Sequence, residues 1–172
     1  MTIKDIKEKI ARRKLAKIIS AIDRRPVFPD INRVKTIGVI WQPTQKEAFQ
    51  YLKSYFNREQ VIFRGFCVFE AITNPQQDSN TLTVQDLDFW GLPKKDKVDE
   101  FINIRFEVLF NIALEDNLVL DYITALSQSR FKIGSSSDTN NYFDMNINIG
   151  ENSDPMYLAK QQIFYLAQLN KK

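Results

Sequence analysis

The seven residues FEVLFNI at 106–112 are almost wholly apolar on both of the sides that a strand presents in alternation. A strand with one wet face alternates apolar with polar residues. One that is apolar on both sides needs cover on both, as in a parallel sheet sandwiched between helices. This segment restricts the chain to layered α/β architectures, and its flanks fit one. TIGVIW at 36–41 reads as a second short apolar strand, residues 61–72 as a third with an interruption near Gly65, and FKIG at 131–134 as a fourth. Residues 142–149 alternate, with Phe143, Met145, Ile147 and Ile149 on one side and Asp144, Asn146 and Asn148 on the other. That pattern predicts a half-exposed edge strand antiparallel to FKIG.

Helical patterns fall between these strands. Residues 44–56 bury Ala48, Phe49, Leu52, Tyr55 and Phe56, with Thr44 and Glu47 spaced as a reciprocal capping box after Pro43. Further helices are expected over 94–103, from Asp116 or Asn117 to about Gln128, and over 156–169 behind Ser153 or Asp154 and Pro155. TNPQQDSNT at 73–81 reads as a polar loop. In LTVQDLDFWGLP at 82–93, Leu82, Val84 and Leu87 suggest a short strand or turn, and Phe89-Trp90 suggests a plug under the next helix, with a surface lid as the alternative. The alternation predicts a three-layer, Rossmann-like α/β domain over residues 36–172. Its sheet is mostly parallel, of about five strands, with helices on both faces. One domain suits a chain of 172 residues.

The charge is unevenly distributed. Residues 1–25 hold nine Lys/Arg against three acids, whereas the remainder holds 15 against 18. Ile3, Ile6, Ile10, Leu15, Ile18, Ile19 and Ile22 recur at helical spacing, Thr2 can cap, and Pro26 stops the pattern. The chain therefore begins with a basic amphipathic helix within residues 1–25, followed by an extended linker over 26–35. That helix can pack its stripe on the domain and leave its lysines solvated, dock on an RNA-rich or acidic protein surface, or lie on an anionic membrane, for which its apolar side lacks Trp and Phe anchors. No apolar run is long enough to span a bilayer, the start is charged rather than signal-like, and the single cysteine forms no internal disulfide. The chain reads as cytoplasmic.

Histidine is absent, which removes Ser-His-Asp and Cys-His catalysis and the usual zinc sites. Carboxylate, lysine or tyrosine chemistry stays open. Cys67, within FCVF, reads as a small buried hydrophobe. The turn after the first strand, Trp41-Gln42-Pro43-Thr44, has no glycine where a phosphate-binding loop would have several. Ligands of open α/β sheets lie at the carboxyl ends of strands. The residues expected there are Trp41, Gln42 and Thr44 after the first strand, Asn111, Glu115 and Asp116 after FEVLFNI, and the run Ser135, Ser136 and Ser137 after FKIG. No motif calls for a cofactor, and no metal-ligand set is recognised.

WQPTQKEAFQYL, FWGLP, NLVLDYITALS, RFKIG and NINIGEN followed by YLAKQQIFYL together resemble a family of uncharacterised proteins from Bacteroidota, across nearly the whole chain. The resemblance implies a bacterial, cytoplasmic protein. Residues 106–134 are similar in rhythm to the strand-helix-strand unit in the N-terminal half of heptosyltransferase-type glycosyltransferases, which implies a Rossmann-like fold.

These features predict first a non-catalytic interaction module. Its basic helix would dock on an acidic partner, a protein or an RNA-containing particle, through Lys7, Arg12, Arg13, Lys14 and Lys17. The alternative is a small nucleotide- or sugar-phosphate-binding enzyme, or a transferase-like remnant, using Gln42, Thr44, Glu115, Asp116 and Ser135–Ser137. A homodimer through the last strand or the N-terminal helix is a further expectation.

Overall fold

The strand TIGVIW is central because both of its sides find apolar cover: Ile37 and Val39 are buried on one face of the sheet and Ile40 on the other. The computed structural model describes residues 1–69, 80–139 and 141–171. The expected polar loop at 73–81 lies outside them except for Asn80 and Thr81, as does the end of the strand expected over 61–72. The elements, in chain order, are α1 (Ile3–Ser20), β1 (Thr36–Trp41), α2 (Lys46–Tyr55), β2 (Ile62–Val68) and β3 (Thr81–Leu82). They continue with α3 (Lys95–Ile102), β4 (Val108–Asn111), α4 (Leu118–Leu126), β5 (Lys132–Gly134), β6 (Met145–Asn146) and α5 (Pro155–Leu169).

The six strands form one sheet in the order β3-β2-β1-β4-β5-β6, every pair parallel. The fold is thus α/β, as expected, and its order is that of doubly wound dinucleotide-binding sheets. The direction of winding reverses between β1 and β4. Helices α2 and α5 cover one face, where Leu52, Phe56, Leu158 and Leu166 meet Ile37, Val108, Phe110 and Ile133. Helices α3 and α4 cover the other, where Val98, Phe101, Leu120 and Ile123 meet Ile40, Phe66 and Leu109.

Several local expectations are corrected. The strand expected antiparallel over 142–149 is reduced to Met145–Asn146 and runs parallel to β5, with Ile133 opposite Met145. Asn146 stays in the ladder opposite Gly134, and its side chain exchanges hydrogen bonds with the backbone of Ser136 beyond β5, while Asn148 accepts from the Gly150 amide. Strand β2 passes through Gly65 without a break. The Phe49 ring, stacked on Trp41 at 4.3 Å, occupies the space that a Cβ at Gly65 would need. The Thr44–Glu47 capping box gives way to a 3-10 turn over Pro43–Gln45. Here the Gln42 amide donates to Gln45 Oε1 (3.0 Å) and Gln45 Nε2 to Gln42 Oε1 (3.2 Å). Helix α4 is capped by Asn117 and not by Asp116.

Helix α1 ends at Ser20, well before Pro26, with Thr2 and Asp5 forming its capping box. Its buried residues are Ala11 and Leu15, which join the core beside α4, with Ile19 partly buried. The expected stripe is split: Leu15 is buried and Ile19 packs on the core, while Ile3, Ile6, Ile18 and Ile22 are exposed. The small Ala11 allows the close approach that an isoleucine would prevent. The segment after α1 is packed rather than free. Ile31 and Val34 are buried, the Val27 amide donates to the Arg130 carbonyl, and Arg58 donates to the Ile31 and Asn32 carbonyls. Phe89-Trp90 is only half a plug: Trp90 packs on the core, while Phe89 stands 69% exposed on a turn held by Asp88, which accepts from the Trp90 and Leu92 amides.

Candidate functional site

The carboxyl ends of β1 and β4 flank the point where sheets of this order usually open for a ligand. Here the chain fills that point with its own polar groups. Gln162 of α5 is fully buried and donates from Nε2 to the Asn111 carbonyl (2.9 Å). Asn111 in turn donates to Thr124 Oγ1 (3.1 Å) and accepts from the Ala113 amide (3.0 Å). Gln45, also buried, closes the turn after β1. Among the described residues, Gln42 and Thr44 do not line the cleft that gathers the other expected ligand-binding residues. Thr44 lines a separate recess of about 180 Å³ with Gln45, Asp154 and Met156. Sequence reasoning misses the two polar residues that matter here, Gln45 and Gln162. The only signal for Gln162 is a glutamine on the otherwise apolar buried side of α5.

The other expected residues do converge. Glu115, Asp116, Ser135, Ser136 and Ser137 line one cleft of about 490 Å³ beyond β4, β5 and β6, with Asn148, Glu151 and Asn152 opposite. Ser136 is fully engaged there. Its hydroxyl donates to Asp116 Oδ1 (2.7 Å) and accepts from the Asp138 amide, and its own amide donates to Asn146 Oδ1. The serine run is thus a built turn rather than an open anion cradle. Among the described residues the cleft carries Glu115, Asp116 and Glu151 and no lysine or arginine. Its potential opposes a phosphate and suits a hydroxyl-rich or cationic group.

The third feature is α1 itself. Arg12 donates to Glu8 on its own helix and to Asp121 in the first turn of α4, both at 3.0 Å. Burial pulls the Arg12 guanidinium down, but hydrogen bonds to Asp121 and Glu8 outweigh it and leave the group raised. Burial also pushes Asp121 above the usual carboxylate range, opposed by Arg12 and reinforced by Asp116 and Asp138. Lys7 Nζ lies 3.7 Å above the Phe89 ring, and Lys14 Nζ lies 4.4 Å from the Trp90 centroid. These two contacts hold the lysines along one flank without neutralising them. Arg13 and Lys17 are exposed and make no ion pair among the described residues. A groove of about 470 Å³ runs from Lys4 and Lys7 past Phe89 and Trp90 to Asn117 and Val119.

A model of a family of unknown function, DUF6913, matches residues 7–169. The chain belongs to the DUF6913 family. The matched region starts within α1 and reaches the last residue of α5, so the family's domain takes in the basic helix along with the sheet. Neither a curated protein nor a solved structure matches the chain. Among the described residues no helix is long and apolar enough to cross a membrane.

Proposed function

We propose that this DUF6913 protein is a non-catalytic interaction module that docks on an acidic partner through α1. The observation that carries the reading is the division of labour among the helix's cations. Arg12 ties the helix to α4 through Asp121, Lys7 and Lys14 rest on Phe89 and Trp90, and Arg13 and Lys17 stand in solvent without an ion pair among the described residues. A helix fixed in this way presents positive charge in a set orientation, which lowers the ordering cost of association. The buried polar groups at the ends of β1 and β4 support the non-catalytic part of the reading, since Gln162 Nε2, Asn111 and Gln45 bond within the chain and only Gln162 Oε1 among their side-chain atoms has no partner among the described residues.

The test is a triple charge reversal, Arg13→Glu with Lys14→Glu and Lys17→Glu, in the full chain. The native protein is expected to co-purify with an acidic partner at low salt and to release it at high salt, and the variant to lose it. Unchanged recovery by the variant would end the reading.

A second reading is favoured by one observation, the convergence of Glu115, Asp116 and Ser135–Ser137 in a single cleft. It makes the domain a small-ligand binder or a transferase-like remnant. The carboxylates there fit a sugar hydroxyl or an amine better than a phosphate. A thermal-shift screen with simple sugars, polyamines and sugar nucleotides tests it. Stabilisation that disappears in Asp116→Ala would promote this reading over the first.

A further inference from the structure

The outward side of α1 has a finer pattern than its charge. Ile3, Ile6, Ile10, Arg13 and Lys17 follow one another at alternating spacings of three and four residues, the a and d positions of a heptad. The packed face is a different one, made by Ala11 and Leu15. Ile3 is 76% and Ile6 45% exposed, Ile10 is half-buried, and Arg13 and Lys17 are exposed. The positions flanking this seam include Lys7, Lys9 and Lys14. A heptad seam with apolar residues in its first two turns and basic flanks is built for another helix.

Resting on the docking function proposed above, we infer that the partner of α1 is an acidic amphipathic helix of another protein. Its apolar residues would cover Ile3, Ile6 and Ile10, and its carboxylates would pair with Arg13 and Lys17. Charge excludes a second copy of α1 as the occupant, because the flanks of both helices would be basic. RNA satisfies the cations but leaves the isoleucines uncovered. Unpaired bases are held on aromatic planes, and the seam has none. An anionic membrane needs a continuous apolar side with aromatic anchors, and here Arg13 interrupts the strip after two turns.

The probe is a labelled synthetic peptide of about three heptads, with Leu at a and d and Glu at e and g, titrated with the full-length protein by fluorescence anisotropy. Binding is expected at low salt, and none to the same peptide with Lys at e and g. Ile3→Gln with Ile6→Gln keeps helix-forming residues on the solvent side, and should weaken binding by about tenfold or more. Arg13→Glu with Lys17→Glu should abolish it. If the glutamine variant binds as the native protein does while the glutamate variant does not, charge alone docks the helix. The heptad inference then falls and the docking function stands. The heptad inference also falls, and docking again stands, if the peptide fails to bind while poly-uridine RNA or phosphatidylserine vesicles bind in an Arg13- and Lys17-dependent way. If no acidic probe responds to the glutamate variant, both fail.

Discussion

Arg24 and Asp144 are joined by two short bonds, from Nη1 to Oδ1 at 2.6 Å and from Nη2 to Oδ2 at 2.7 Å. Asp144 Oδ2 also accepts from the Lys132 amide, and Arg24 reaches the Ser129 carbonyl. One guanidinium therefore ties the segment after α1 to the lead-ins of β5 and β6. The Asp144 side chain is only 10% exposed, so removing its partner leaves a carboxylate largely withdrawn from water. Arg24→Ala should cost about 1–3 kcal/mol in urea unfolding. Arg24→Lys should recover only part, because an ammonium cannot form the fork. An unchanged urea midpoint in Arg24→Ala would show that the pair is incidental.

Lys132 is buried in β5, and its ammonium donates to the Ala125 carbonyl at 2.9 Å. Burial, with Arg24 nearby, pulls the group from 10.5 down to about 7, and Asp144 only partly opposes this. Between those two values the unfolded chain binds a proton that the folded chain does not, so stability rises with pH across the window. Below it both states are charged and the cost of burying the ammonium is fully present. Relative to Lys132→Met, the native protein should gain on the order of 1 kcal/mol per pH unit between about pH 7.5 and 9.5. Parallel stability curves for the two proteins would contradict this account.

The Phe49 ring covers Gly65 closely enough that an added Cβ would lie 2.5 Å from it. Phe49 is in turn pinned by its stack on Trp41. Gly65→Ala should destabilise by about 1–3 kcal/mol through overpacking. Adding Phe49→Leu to that variant should restore stability rather than subtract further, which a double-mutant cycle by urea melts reads directly. Additive losses would mean that the two residues do not meet.

Gln162 is fully buried, with Nε2 on the Asn111 carbonyl and Oε1 without a partner among the described residues. Gln162→Glu would set a carboxylate against that carbonyl. At neutral pH the variant should lose about 3 kcal/mol or more. Burial raises the carboxyl above its unfolded value, so the folded variant holds its proton to higher pH and the loss shrinks as pH falls. Melts at about pH 5 and about pH 8 separate this from a packing defect, which would not change with pH.

Much of the fold is legible where the signal is local. FEVLFNI reports burial on both faces, and Asp154 with Pro155 marks the start of α5 where it occurs. The pattern at 142–149 misleads because Asn146 and Asn148 alternate like outward strand residues yet bond to nearby backbone. Of the expected ligand residues, Glu115, Asp116 and Ser135–Ser137 share a cleft and Gln42 and Thr44 lie apart. Spacing along a chain does not encode which strand ends become neighbours.

By itself the sequence determined the layered α/β class, the Thr2 cap of α1 and the basic start of the chain, since each depends on residues within a turn or two of one another. It also removed histidine-dependent chemistry. Tertiary structure alone decided the β3-β2-β1-β4-β5-β6 order, the filling of the β1–β4 point by Gln162, and the side of α1 that turns inward. That last choice shows why. The isoleucine row and the Ala11–Leu15 row both have helical spacing, and only the second lets α1 come close enough to α4 to pack.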